Sequence, residues 1–190
     1  DMPLNAVGRW QATRLAAALQ GEELAAVYSS DLSRARETAE PLARLMQLPV
    51  VTDEQLRERA FGHFEGQTFE DIETTWPDDA ARWRQRDPSF GPGGGERLLD
   101  FYERSVSVAT RLAQRHPGQA IALVAHGGVL DCLYRAALGI ELQAPRSWPV
   151  ANAAINRLLW TPQGLSMVGW HDAAHLEGVP GDEPPPADTP

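Results

Sequence analysis

The sequence predicts an α/β fold: a three-layer sandwich with a mostly parallel central sheet and helices on both faces. Three observations predict it. Short apolar runs alternate with helical patterns along the 190 residues. The runs are apolar at consecutive positions, as strands buried on both faces are. One of them, Ile121-Ala-Leu-Val-Ala125, ends in His126-Gly-Gly128, and a helical pattern starts at once. A strand that stops in this way delivers a side chain and a helix start to the crevice at the carboxyl edge of a parallel sheet. The glycines admit a ligand close to the backbone, and the helix start favours an anion. The first candidate is therefore a phosphate site containing His126 and Gly127.

The elements follow in order. Residues 5–20 read as a helix with Asn5 as N-cap and Gly21 beyond its end. Leu24–Tyr28 reads as a buried strand, and Ser29-Ser30-Asp31 offers capping groups for the next helix. In that helix Leu32, Ala35, Ala39, Leu42 and Met46 recur at helical spacing. Pro49–Thr52 reads as a brief strand. Residues 53–96 are less regular, with two tryptophans and the run Gly91-Pro-Gly-Gly-Gly95, and read as an excursion that shapes one side of a site. Residues 97–115 form a helix with Leu98, Tyr102, Val106, Ala109 and Ala113 on one face, stopped by His116-Pro-Gly118. After the strand at 119–125 and the helix at 129–138, two late strands near 154–160 and 165–170 flank the turn Thr161-Pro-Gln-Gly164. Residues 1–176 read as one domain, and the proline-rich end, 177–190, as a disordered tail.

The bulk properties narrow the function. A 43% hydrophobic content with 23% charge suits a globular protein with a real core. No run approaches the roughly 20 apolar residues of a spanning helix, so no membrane partner is expected. The opening residues show no secretory pattern, and the single cysteine forms no internal disulfide; both suit the cytoplasm. A net charge of −9 argues against nucleic acid. It leaves room for an anionic small molecule, because a few arginines can make one pocket positive.

Arg34 stands in the first turn of its helix, where the macrodipole disfavours a cation unless an anion binds there. Its guanidinium fork matches phosphate, and Arg36 is a weaker candidate on the same turn. Glu58 and Glu65 stand in a glycine-punctuated loop beside aromatics; a carboxyl group among apolar side chains can serve as proton donor to a leaving group. His63, His116, His171 and His175 have no metal-ligand spacing, so neither a metal nor any other cofactor is expected. Cys132, inside a helix, reads as a small core residue.

Together these segments resemble the histidine phosphatase superfamily, the branch that includes the cofactor-dependent phosphoglycerate mutases. The matching segments, in order, are Asp1-Met-Pro-Leu-Asn5 with Gly8, Ser29-Ser-Asp-Leu-Ser-Arg34-Ala, Leu56-Arg-Glu58 with Phe61-Gly62 and Glu65-Gly66, Gly94-Gly-Glu96, and Val124-Ala-His126-Gly-Gly128. Asn152 and His171-Asp-Ala-Ala-His-Leu176 complete the set. The resemblance implies a phosphoglycerate mutase-like fold and transfer of phosphate to a histidine, which water or an acceptor then resolves. By position, Arg34 would clamp the phosphoryl oxygens and His126 would stabilise the same group. Glu58 would protonate the leaving alkoxide, and Glu65 would be a loop residue. Arg97, where the family often has serine, and Phe64, where it often has tryptophan, are expected to affect substrate contacts rather than the basic chemistry.

One departure is large. The Arg-His-Gly triplet that carries the family's nucleophile occurs nowhere in the chain. Since that motif ends an interior strand, the expectation is that it lies on a segment upstream of residue 1. The function expected is metal-independent hydrolysis of a small phosphomonoester through a phosphohistidine. Phosphoglycerate mutase-type transfer is the runner-up, disfavoured because 67–96 holds more acids than arginines and no lysine. A non-catalytic phosphate-binding domain is the alternative if the nucleophile is truly absent. A homodimer is left open.

Overall fold

The computed structural model describes residues 1–178, so nearly all of the expected tail lies outside the described residues. The chain runs α1 (Ala6–Ala18), β1 (Leu24–Ser29), α2 (Ser33–Met46), β2 (Val50–Thr52), α3 (Phe69–Thr75), α4 (Pro77–Arg84), α5 (Leu98–Gln114), β3 (Ala120–Val124), α6 (Gly127–Leu138), β4 (Ile155–Thr161) and β5 (Gly164–Asp172). Strand β1 is central, with β2 and β3 parallel on either side; Val27 pairs with both Val50 and Ala122. The hairpin β4–β5 is antiparallel and forms its own ladder.

Alternation along the parallel strands separates two faces. Val27, Ala122 and Val124 pack with Ala16, Ala39 and Leu42 of α1 and α2. Tyr28, Ile121 and Leu123 point the other way, onto Val108 and Leu112 of α5. Helix α6 joins α5 on that second face through Phe101, Val129, Cys132 and Leu133, with Leu158 and Leu165 of the hairpin against them. The result is the expected three-layer α/β arrangement.

Parallel pairing sets Ser29 opposite Val124, so β1 and β3 end side by side, and the Ser30 amide donates to the Val124 carbonyl at 2.9 Å. Each strand feeds a helix at that edge. The starts of α2 and α6 therefore share one crevice.

Several local expectations are met and others corrected. Asn5 caps α1, its side chain accepting from the Gly8 amide at 2.8 Å. The N-cap of α2, however, is Leu32, with no side-chain cap of its own; the Asp1 carboxylate receives the Ser33 amide at 3.0 Å instead. The three residues Ser29-Ser30-Asp31 are turned to other partners because both serines are buried at the strand end. The buried side of α5 is Leu98, Phe101, Ser105, Val108, Ala109 and Leu112, rotated from the face expected. Tyr102 and Val106 lie half-buried toward α6, since α5 packs on the sheet and on α6 at once. Ser105 enters the core because its hydroxyl donates to the Phe101 carbonyl, satisfying a polar group that pattern alone puts outside.

The excursion is more regular than expected. Thr68 and Asp71 close a capping box on α3, and Pro77 with Asp78 and Asp79 starts α4. These helices bury Phe64, Ile72, Ala80 and Phe90 in a small core of their own. Phe64 is 3% exposed and stacked on Trp83, so it is a packing residue rather than a substrate contact. Arg97 precedes α5 and its guanidinium is paired with Asp100.

Candidate functional site

His126 is the residue between β3 and α6, in extended conformation with φ −127° and ψ 164°. Its side chain turns into the crevice and is 8% exposed. Nε2 lies 2.9 Å from Ser30 Oγ, which also accepts the Leu32 amide at 3.3 Å. Burial first, and then the positive charge of Arg34, push the imidazole down to about 4, against the pull of Asp31. The ring is therefore neutral at pH 7 until an anion arrives.

Arg34, half-buried, is the second residue of α2. Among the described residues no carboxylate forms an ion pair with it. Its charge is felt at the imidazole, where Asp31 opposes it in part. Arg36 is exposed on the far side of the same turn.

Glu58 reaches the same crevice from the loop after β2. Its Oε2 accepts the Gly128 amide at 2.9 Å and its Oε1 accepts the Arg59 amide at 2.9 Å. Two backbone amides, not the apolar surroundings expected, hold this carboxylate. Gly128 permits the approach: a Cβ there would collide with Glu58 Oε1 and stand 3.0 Å from Phe101 Cε1. Gly127 opens α6, where the first amides have no acceptor within the helix.

Around these groups stand residues that sequence reasoning missed. Arg57 donates from Nε to Asp31 Oδ1 at 2.8 Å, tying the Glu58 loop to the approach to α2. The paired Arg57 holds the Asp31 carboxyl below the usual carboxylate range. Arg104 of α5 grips Glu96 and two loop carbonyls, and its charge also reaches His126. Arg57, Asp31 and Glu96 lie within the matching segments, whereas Arg104 lies outside them.

The remaining candidates lie elsewhere. Glu65 is exposed and accepts the Phe61 amide at 3.2 Å. His63 faces Asp79 at 3.5 Å and packs on Trp76. His116 Nε2 meets the Tyr28 hydroxyl at 2.9 Å, and His175 Nε2 meets the Ala153 carbonyl at 3.0 Å. Cys132 is 1% exposed, and burial pushes its thiol up to about 12, as a core residue's would be. Among the described residues no group of three His, Cys, Asp or Glu side chains could hold a metal ion, and no helix is long and apolar enough to cross a membrane.

Chemically, the crevice offers a guanidinium, a neutral imidazole, helix-start amides and one carboxyl group. That set suits a tetrahedral dianion with an ester oxygen that needs a proton.

Known proteins are similar to this chain in sequence and fold. The family model of the histidine phosphatase superfamily (branch 1) matches residues 1–173. A phosphoglycerate mutase-like protein of Arabidopsis thaliana is 36% identical over 93% of this chain and 77% of its own length. A metal-independent phosphoserine phosphatase of the same plant is 34% identical, over 94% and 75%. The solved structure of Bacillus stearothermophilus YhfR superposes with a TM-score of 0.86 at 31% identity, covering 93% of this chain and 88% of that one. A mycobacterial glucosyl-3-phosphoglycerate phosphatase, solved with vanadate, gives 0.77 at 29% identity over 90% and 88%. On sequence and fold alike, the chain belongs to the histidine phosphatase superfamily.

Proposed function

We propose that this chain is the body of a phosphomonoester hydrolase acting on a small phosphorylated metabolite through a phosphohistidine. The observation that carries the reading is the meeting of His126, Arg34 and Glu58 at the shared start of α2 and α6. The substrate phosphate lies over the two helix starts. Arg34 binds two of its oxygens, and His126 with the Gly127 amide stabilises charge on the same group. As the phosphoryl group passes to the nucleophilic imidazole nitrogen, the P–O ester bond breaks, Glu58 gives its proton to the departing oxygen and the alcohol leaves. Water then attacks phosphorus, Glu58 takes its proton, and inorganic phosphate and the free imidazole are regenerated.

The nucleophile is not among these residues. The open side of β3 supports its arrival on a segment preceding residue 1: β1 is the only ladder partner of β3 among the described residues, and Ile121–Val124 are apolar yet only half-buried. A parallel strand on that side would end beside His126.

Hydrolysis is favoured over transfer between phosphoglycerates because the arginines of the excursion and its edges are already engaged. Arg59 binds the carbonyls of Glu96 and Phe90, while Arg82, Arg84, Arg86 and Arg97 pair with Asp87, Glu73, Asp131 and Asp100. None is left to retain a second phosphate. The net charge of −9 supports a small anion rather than nucleic acid as ligand, and the single buried thiol supports a cytoplasmic setting.

A panel of phosphorylated metabolites offered to the full-length protein, with acid-quench trapping of labelled enzyme, tests this. Free phosphate and an acid-labile labelled enzyme are expected, and chelators leave the rate unchanged. Binding without turnover would replace the hydrolase by a non-catalytic phosphate-binding domain.

A further inference from the structure

We propose that Arg104, clamped by Glu96, is the positioning residue for Glu58; the inference rests on Glu58 being the proton donor described above. Arg104 stands on α5 one turn after Phe101. Its Nε and Nη2 donate to the two oxygens of the Glu96 carboxylate, each at 2.8 Å. Its Nη1 donates to the carbonyls of Gln55 at 2.6 Å and Arg57 at 3.0 Å, on the stretch that leads into Glu58.

Glu96 holds the other side of the same loop. Its amide donates to the Ala60 carbonyl at 2.8 Å, and its carbonyl accepts Arg59 Nε at 3.0 Å. Glu58 itself belongs to no helix or strand, and the Arg104–Glu96 pair is the contact that ties the backbone on both sides of it to α5. Both partners are mostly buried, with side chains 17% and 20% exposed, where a bidentate pair holds its geometry far better than at an open surface. The same helix sets the opposite wall, since Phe101 stands against the Gly128 position on which the Glu58 carboxylate rests. Helix α5 thus fixes the donor from both sides without touching the phosphate. Lysine cannot substitute, because one ammonium group lacks the planar fork that spans a carboxylate and two carbonyls.

The consequence is selective. An alkyl ester needs a full proton on its leaving oxygen, whereas p-nitrophenolate departs with little help. Misplacing Glu58 by an ångström should cost about 100-fold on the first kind of substrate and little on the second.

The experiment compares kcat on O-phosphoserine and on p-nitrophenyl phosphate for full-length wild type, Arg104→Lys, Glu96→Gln and Glu58→Gln, with thermal melting of each. The expected result is a fall in the alkyl-to-aryl rate ratio of about 100-fold in Arg104→Lys, a fall of the same sign in Glu96→Gln, and melting close to wild type. Equal loss on both esters, or no loss, in folded Arg104→Lys and Glu96→Gln overturns the positioning role. If Glu58→Gln is itself non-selective, the proton-donor reading falls first and takes this one with it; if only Glu58→Gln is selective, the positioning role alone is lost.

Discussion

His126 and Ser30, 96 positions apart, meet at 2.9 Å because two parallel strands end level with each other. Ser30 is fully buried and its hydroxyl also holds the Leu32 amide, so a single small side chain joins the imidazole to the turn that starts α2. The ring is thereby held against the strand end that leads into α2. Five outcomes are expected from this geometry.

Replacing either charged partner of the phosphate should cost transition-state stabilisation. His126→Ala and Arg34→Ala in the full-length enzyme should each lower kcat by on the order of 10² to 10³, the usual loss when one donor to a developing oxyanion is removed. Steady-state rates on p-nitrophenyl phosphate provide the check. Near-wild-type turnover would remove that residue from the mechanism.

Gly128→Ala should act on Glu58 rather than on phosphate. The added methyl collides with Glu58 Oε1, so the carboxylate must shift away from the Gly128 amide. A loss of about 100-fold in kcat on alkyl phosphates is expected, with product-phosphate affinity little changed. Equal weakening of phosphate binding by calorimetry would show instead that the helix start itself had moved.

The depressed imidazole makes stability pH-dependent. His126 titrates near 4 when folded and near 6.5 when unfolded, so the unfolded chain binds the proton first as pH falls. Stability contributed by the neutral ring is therefore complete above about pH 6.5 and declines between there and about pH 4. The full difference is about 3 kcal/mol. Urea midpoints at pH 7 and pH 5 should show the decline in wild type and less of it in His126→Gln.

Sulfate, a tetrahedral dianion throughout this range, should reverse that shift. Beside the ring it stabilises imidazolium, so its binding near pH 6 should take up a proton. Calorimetry in two buffers of different ionisation enthalpy measures the uptake. An identical heat in both buffers would mean that His126 does not face the anion.

Asp131 anchors the excursion to α6. Its Oδ2 accepts Arg86 Nη2 and Arg135 Nε, each at 2.9 Å, and Arg135 is 0% exposed. Asp131→Ala leaves two guanidinium groups without their shared anion, one of them fully buried, and should destabilise by about 3 to 5 kcal/mol in urea unfolding. A change under about 1 kcal/mol would show that the carbonyls of Leu142 and Glu141, which also accept these side chains, suffice.

How much was legible can be seen in particular residues. The strand-glycine-helix signal around His126 located one half of the site, because a buried strand and the helix after it are written in consecutive residues. Arg34 was found through its odd placement in a helix first turn. Helices α3 and α4 are marked in the sequence only at their starts, by Thr68, Asp71 and Pro77, because charged neighbours break their apolar stripe. Arg104 gave no signal at all: on a helix surface it reads as one more solvated arginine, and its partners are 8, 47 and 49 positions away.

Taken alone, the sequence determined the alternation of strands and helices, the two-sided burial of the sheet and the residue types that reach its carboxyl edge. Those follow from local periodicity and from where glycine interrupts it, which depend on near neighbours only. The tertiary structure alone decided that Ser30 supports His126, that Glu58 rests on the Gly128 amide and that Arg104 with Glu96 holds the loop carrying it. Such contacts are set by the register of parallel strands and the packing of α5 against α6, and the chain's linear order carries no record of which distant side chains that packing brings within 3 Å.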